Sequence, residues 1–315
     1  MIWILYVILL VILAIGSSLY FGARYFFRFT IPRKPTSTFE NNGVNANTDW
    51  SSHLSVIKAS KEWLNQQATE ELCIESFDNL KLRGILLKGN NSKNCVICIH
   101  GYTSCGINDF CSISKFYHKH NFNVIIVDDR NHGKSDGKYT GFGVLDRFDA
   151  LKWIEYAVQR FGPDVNIFLH GISMGGATVL MTSGLDLPKN VKAIISDCGF
   201  TSVYDVFSHV LKRDYHIPKF PIMNLTELMT KKKAGYGFRD VNTLDEVAKT
   251  KVPILFIHGD IDDFVPVWMS EQNYEACNSE KELLLVKGAD HAEAYYVDTS
   301  AYENAIKKMI DRYAE

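Results

Sequence analysis

The stretch Val165-Asn166-Ile167-Phe168-Leu169-His170-Gly171-Ile172-Ser173-Met174-Gly175-Gly176-Ala177-Thr178-Val179-Leu180 decides how the rest of the chain is read. Its apolar start, Val165 to Leu169, has the length and character of a buried parallel strand, and Gly176-Ala177-Thr178 opens a helix of small residues. Between them lies Gly171-Ile172-Ser173-Met174-Gly175, a GxSxG nucleophile elbow in its expected strand-to-helix setting. A serine presented on so tight a turn leaves no room for side chains around it, so glycines two residues before and after it have a steric purpose. The free N–H groups of the following helix point at the same place, which suits a developing negative charge. GxSxG alone recurs by chance; the strand before it and the helix after it give it weight.

Working outward, strand-like and helix-like stretches alternate regularly, the pattern that builds a mostly parallel sheet with helices on both faces. Strands are expected at Leu72 to Ser76, Leu80 to Leu87, Cys95 to His100, Asn123 to Asp128, Val165 to Leu169, Val191 to Ser196, Pro253 to His258 and Glu282 to Val286. Only Phe77-Asp78-Asn79 separates the first two, so they should pair antiparallel at one edge. Leu145, Phe148, Leu151, Ile154, Val158 and Phe161 recur at helical spacing. The connection from Gly199 to Lys251 is too long for a simple crossover. Its excess, about 199–250, is expected to form a small helical lid. Phe200, Tyr204, Phe207, Tyr215, Phe220, Tyr236 and Phe238 would face the serine, or would pack a helix pair together.

A serine hydroxyl needs a base to take its proton and a third group to orient that base. The elbow predicts both downstream, in the order serine, acid, histidine. After the strand ending at His258 comes Gly259-Asp260-Ile261-Asp262-Asp263-Phe264-Val265-Pro266, and after the last strand comes Lys287-Gly288-Ala289-Asp290-His291-Ala292-Glu293. Both loops sit at C-terminal strand ends, where the functional groups of α/β folds gather. His291 is the candidate base; Asp260, Asp262 and Asp263 are not distinguishable as the acid on physical grounds. Two N–H donors for an oxyanion are expected from Met174, just after the serine, and Tyr102, in the loop His100-Gly101-Tyr102-Thr103-Ser104. His100 reads as a structural hydrogen-bonding group, and Arg130 and Asp128 as braces between loops.

The N-terminus is of another kind. From Ile2 to Phe21 there is no charged side chain, and about twenty helical residues cross a ~30 Å hydrocarbon layer. A cleaved signal peptide would begin with basic residues and end on a small-residue site, whereas Met1-Ile2-Trp3 has no basic side chain and Ala14-Ile15-Gly16 is a poor site. The expectation is a single-pass anchor over 1–28, a Pro-, Ser- and Asn-rich linker over 29–55 and a folded domain over 56–315. A short amphipathic helix, Val56 to Gln67, would open that domain. Arg24, Arg28, Arg33 and Lys34 follow the span, so the domain is expected on the cytoplasmic side of the cell membrane.

Composition narrows the rest. Seven cysteines, an odd number without framework spacing, suit a reducing compartment. Cys95 and Cys98 form a CxxC inside an apolar strand, where they read as buried thiols, not a metal or redox site. With 34 Lys and Arg against 36 Asp and Glu the net charge is -2, and no basic stripe points to nucleic acid. No cofactor or metal is implied. Lys231-Lys232-Lys233 reads as a solvated helix end.

The set HGYTS at 100–104, DDRNHGKSDG at 128–137, GISMGG at 171–176, HGDIDDFVP at 258–266 and DHAEAY at 290–295 resembles the α/β-hydrolase superfamily. Within it the chain is similar to membrane-anchored serine hydrolases of Gram-positive bacteria, related to the serine aminopeptidase and prolyl-oligopeptidase-like group. The resemblance runs from about Lys61 to the C-terminus. It implies an α/β-hydrolase fold with Ser173 as nucleophile, His291 as base, and Tyr102 and Met174 as oxyanion donors. Its HGxxDxxVP motif puts the catalytic aspartate at Asp262. The family usually has glycine before the histidine; here Asp290 places a carboxylate beside the base. The function expected is that of a serine hydrolase, foremost a carboxylesterase working through an acyl-enzyme on a small-molecule or peptide acyl substrate. The alternatives are a serine peptidase or aminopeptidase, an acyltransferase, and a non-catalytic binding module on the same fold.

Overall fold

In the computed structural model, which describes residues 2–37 and 48–314, the strand before Ser173 lies at the centre of an eight-stranded sheet. The strands are β1 (Thr69–Glu75), β2 (Lys81–Leu87), β3 (Asn94–Ile99), β4 (Asn123–Asp128), β5 (Asn166–Ile172), β6 (Val191–Asp197), β7 (Ile254–Gly259) and β8 (Lys281–Val286). Their spatial order is β1-β2-β4-β3-β5-β6-β7-β8. β1 and β2 form the antiparallel edge pair, β2 also runs antiparallel to β4, and all other neighbours are parallel. Every expected strand is present. β5 runs on to Ile172, because its neighbours β3 and β6 stay in register with Gly171 on both sides.

The helices are α1 (Ile2–Thr30), α2 (Leu54–Asn65), α3 (Gly106–Phe110), α4 (Ile113–Lys119), α5 (Asp146–Phe161), α6 (Met174–Ser183), α7 (Val203–Tyr215), α8 (Lys219–Ala234), α9 (Thr243–Lys249), α10 (Trp268–Ala276), α11 (Ala294–Val297) and α12 (Thr299–Tyr313). Side chains alternate across the sheet, so β3 sends Val96 and Cys98 into one core layer and Cys95, Ile97 and Ile99 into the other. On the first face Leu64 of α2, Tyr117 of α4 and Tyr302 and Ile306 of α12 close the layer. On the second, Ala150, Trp153, Ile154 and Ala157 of α5 repeat at helical spacing beside Val179 and Leu180 of α6. Helix starts are set locally: Ser202 accepts from the Asp205 N–H, Asn242 from Asp245 and Asp298 from Ala301.

The long connection after β6 is helical, as its composition suggests, but only part of it is a lid. α7 and α8 stand over the C-terminal ends of the strands. α9 drops beside the sheet, where Val247 joins the second core layer. A third apolar cluster joins Phe207 and Leu211 of α7, Met223 of α8 and Met174 and Met181 of α6.

The same cluster takes in the end of the apolar helix, and this corrects the linker reading. α1 continues as one helix to Thr30, and Ala23, Phe26, Phe27, Thr30 and Ile31 are buried. Thr226 Oγ1 of α8 donates to the Ala23 carbonyl at 3.3 Å, Pro32 bridges to Tyr139, and the Ser37 N–H donates to the Thr103 carbonyl at 2.7 Å. Thr48 and Trp50 are buried too. Segments 22–37 and 48–55 are therefore held on the domain instead of spacing it from the helix. The physical reason is that Phe26 and Phe27 find an apolar partner in the lid, which removes more of their surface from water than a free linker would. Asn41-Asn42-Gly43 and Asn45-Ala46-Asn47 of the expected linker lie outside the described residues. The outer half of α1 has no such partner: from Ile2 to Leu13 its large apolar side chains are 49–82% exposed. Taken whole, α1 (Ile2–Thr30) is long and apolar enough to cross a membrane.

Candidate active site

The elbow is built by close backbone approach. A Cβ on Gly171 would lie 2.0 Å from the Gly175 carbonyl oxygen, and one on Gly175 would lie 1.9 Å from that of Ile99, so neither position admits a side chain. Ser173, between them, adopts φ 56° and ψ -112°, a conformation that costs about 1–3 kcal/mol and persists only where neighbours impose it. Two hydrogen bonds do so: the Ser173 N–H donates to the Asp197 carbonyl at 2.8 Å, and the Ser173 carbonyl accepts from Ala177 at 2.9 Å.

The structure brings Ser173, His291 and Asp262 into one line although 118 and 29 residues separate them along the chain. Ser173 Oγ lies 2.8 Å from His291 Nε2, and His291 Nδ1 lies 2.7 Å from Asp262 Oδ2. All three are buried, with 8% of Ser173 left exposed toward a cavity. This order assigns the imidazole tautomer: Nδ1–H donates to the carboxylate, and Nε2 is free to accept from the serine.

The three aspartates that sequence left equivalent are separated by their contacts. Asp260 Oδ1 accepts from the Gly288 N–H at 2.6 Å and ties the two loops together at the surface. Asp263 is exposed and pairs with Arg213 of the lid at 3.0 Å. Asp262 alone turns inward. Its Oδ1 accepts from the Phe264 and Val265 N–H groups at 3.0 and 2.8 Å, and its Oδ2 meets both His291 and His258 Nε2, the latter at 3.2 Å. Burial opposes ionisation of Asp262, but the charge on His291 and the hydrogen bonds from His258 and His291 outweigh it and hold the carboxyl well below the usual range. Burial likewise opposes the charged form of His291; Asp262, with smaller contributions from Asp290 and Asp197, reverses this and leaves the imidazole more basic than usual.

The loop after β3 leaves one N–H over. That of Gly101 donates to Asp109 Oδ2 at 2.7 Å, and that of Thr103 to His132 Nε2 at 3.3 Å. Among the described residues neither the Tyr102 nor the Met174 N–H has an acceptor, and both residues line the cavity with Ser173. His100 braces this loop: its Nδ1 lies 2.7 Å from the Gly101 carbonyl, and its Nε2 accepts from the Asp129 N–H at 3.0 Å. Arg130 is bidentate to both Asp149 and Asp78, while Asp128 accepts from Gly106 and Lys134.

The cavity has a volume of about 220 Å³ and is mostly aromatic and aliphatic. Of the lid aromatics, Phe200, Phe207 and Tyr215 line it, Tyr236 and Phe238 are buried behind it, and Phe220 is 73% exposed. Phe26, Phe29 and Thr30 of α1 complete the wall. The sequence reading did not anticipate that contribution. It also missed His258 and Phe264, whose ring lies 4.9 Å from that of His291. The only signal for His258 was a polar residue inside an apolar strand.

Cys198, Asp262 and His291 offer ligand atoms within 4.8 Å of one another. As a metal centre the set is poor: the Asp262 and His291 atoms are already engaged with each other, and burial keeps the Cys198 thiol protonated. Cys95 and Cys98 are thiols whose ionisation burial also suppresses, and no disulfide forms among the described cysteines.

An eight-stranded sheet of this order, with a serine on the β5–α6 elbow and a histidine after β8, defines the class of fold: the chain has the α/β-hydrolase fold. The family model for the alpha/beta hydrolase fold matches residues 94–227. The chain is similar to the uncharacterized protein YqkD of Bacillus subtilis, 28% identical over 250 residues, covering 79% of this chain and 82% of that one. It is 27% identical to protein bem46 of Schizosaccharomyces pombe over 170 residues, 53% of this chain and half of bem46. Among solved structures, an esterase from Pyrococcus furiosus superposes with a TM-score of 0.63 at 23% identity, covering 78% of this chain and 92% of the esterase. Acylaminoacyl peptidase of Pyrococcus horikoshii superposes with a TM-score of 0.58 at 17% identity, over 80% of this chain and 43% of the peptidase. Those two likenesses are of fold.

Proposed function

We propose that the protein is a membrane-tethered serine hydrolase that cleaves carboxylic esters through an acyl-enzyme. The observation that carries this reading is the unbroken line from Ser173 Oγ through His291 to Asp262, at 2.8 and 2.7 Å, beside two unengaged N–H groups. As Ser173 Oγ attacks the ester carbonyl, His291 Nε2 takes its proton and Asp262 stabilises the imidazolium that forms. The Tyr102 and Met174 N–H groups receive the charge that develops on the carbonyl oxygen. The imidazolium then gives its proton to the departing alcohol. Water, deprotonated by His291, attacks the acyl-serine and releases the acid.

An ester is favoured over an aminoacyl amide by the cavity wall. Its one carboxylate among the described residues, Asp214, is already paired with Arg213 through Nε and Nη2, at 2.6 and 3.1 Å, which disfavours it as a partner for a substrate ammonium. The uncharged run of α1 that begins at Ile2 serves as the membrane span, and Arg24, Arg28, Arg33 and Lys34 on its C-terminal side favour the cytoplasmic face for the domain.

The test is labelling of the full-length protein by a fluorophosphonate, beside Ser173→Ala and His291→Ala. Wild-type labelling that both variants lose supports the reading, whereas a folded wild type that does not label sinks it in favour of a binding role.

A further inference from the structure

We infer that the substrate is a glycerolipid ester resident in the same bilayer as α1, whose acyl chain reaches Ser173 along that helix. This assignment rests on the reading of Ser173 as nucleophile and of α1 as a span.

The argument begins with depth. The uncharged run ends at Ala23, before Arg24. Phe26, Phe29 and Thr30 follow it on the same unbroken helix, roughly 4–11 Å further along the axis at 1.5 Å per residue. Each headgroup layer adds roughly 5–8 Å to the hydrocarbon core. The cavity wall therefore starts at or just below headgroup level, where the ester groups of a glycerolipid lie. A lipid need not leave the bilayer entirely to present that bond.

The contacts make the helix part of the site. The Phe26 ring meets Phe207 of the lid edge-on, with centroids 5.5 Å apart, and both face the cavity. The Tyr102 hydroxyl donates to the Thr30 carbonyl at 2.7 Å, so the residue whose N–H is assigned to the oxyanion is fastened by its side chain to the end of α1. α8 packs along the same helix through Thr226 and Ile222. The two lid helices and the turn between them leave apolar surface uncovered: Ile217, Phe220 and Leu228 are 40%, 73% and 65% exposed. In water that surface is costly; against the acyl layer beside α1 it is not. A soluble ester would need none of these features.

The experiment uses the full-length protein in vesicles of diether phosphatidylcholine, which carries no cleavable ester. A mixture of mono- and dioleoylglycerol is placed either in the same vesicles or in separate ones, and p-nitrophenyl butyrate is added from water. Oleate release from the shared bilayer should exceed that from separate vesicles by roughly 100-fold, as expected of a reaction made intramolecular by a common surface. The butyrate rate should not depend on where the lipid is. Phe29→Ala, which removes half-buried apolar wall, should lower the ratio of oleate release to butyrate turnover by about tenfold. Butyrate turnover without oleate release, or oleate release at equal rates from the two vesicle populations, overturns the lipid assignment. A chain inert to both butyrate and fluorophosphonate overturns the hydrolase reading beneath it as well.

Discussion

The Tyr302 hydroxyl of α12 donates to Asp197 Oδ2 at the end of β6 across 2.9 Å. It closes a buried chain in which Tyr117 O–H donates to His170 Nδ1 and His170 Nε2–H to the Tyr302 oxygen, each at 2.9 Å. Burial pushes His170 down to about 3, so it is neutral and a single tautomer serves both bonds. Burial also raises the Asp197 carboxyl to about 6, against the opposing Tyr302 hydrogen bond, from an ordinary 3.8. A carboxyl raised in the fold stabilises most below its unfolded value and loses that contribution as pH rises through its folded one. Tyr302→Phe leaves two buried polar groups unpaired and should cost about 1–3 kcal/mol or more. The Asp197 proton is then held to higher pH still, so the cost should be greater at pH 8 than at pH 5, read by urea unfolding. Equal losses at both pH values would count against this.

Asp290, next to the histidine in the loop after β8, adds to the basicity of His291. Its Oδ1 accepts from the His291 N–H at 2.7 Å and its Oδ2 from Thr48 Oγ1 at 3.1 Å. Because His291 must be neutral to act as base, a raised value moves the acid limb of kcat/KM to higher pH than an ordinary histidine gives. Asp290→Asn removes the charge while keeping an acceptor, and the limb should move toward lower pH. A profile that does not move would mean that the carboxylate is screened from the imidazole.

Asp262→Asn should lower kcat on a p-nitrophenyl ester by roughly 10⁴, because an amide favours the wrong imidazole tautomer. Asp260→Asn and Asp263→Asn, whose carboxylates bond Gly288 and Arg213, should stay within a few-fold of wild type. A loss at Asp263 as large as at Asp262 would show that the acid has been assigned to the wrong residue.

Gly175→Ala would drive a methyl into the Ile99 carbonyl, so fluorophosphonate labelling should vanish and stability should fall by at least about 1–3 kcal/mol. Gly16→Ala, with nothing within 4 Å of the added carbon, should leave both unchanged. Labelling of the Gly175 variant at the wild-type rate would mean that the elbow relaxes more than its packing suggests.

Much of this was legible because local pattern and global fold agree. The central strands are apolar runs bounded by turn residues and the first two are set off by a hairpin-length gap, so all eight could be placed, and Ser173 and His291 follow from their positions at strand ends. The structure adds what periodicity cannot carry. Tyr302 and Asp197 are 105 residues apart, and only His170, a polar residue in the run VNIFLHGI, hinted that something buried would need a partner. The docking of α1 was hidden for a different reason. Phe26 and Phe27 suit a bilayer interface and a protein core equally well, and the apolar run gives no sign of where one environment yields to the other.

The engagement of α1 with the lid also bears on the order in which the protein is made. Ala23 and Thr226 are 203 residues apart, and His291 is supplied 118 residues after Ser173. A nascent chain that has already formed α1 still lacks the lid helices that pack on it and the histidine that Ser173 will meet. Ser173 is thus translated into an open groove, and the pocket closes around it only once α1, the lid helices and the loop that carries His291 have converged.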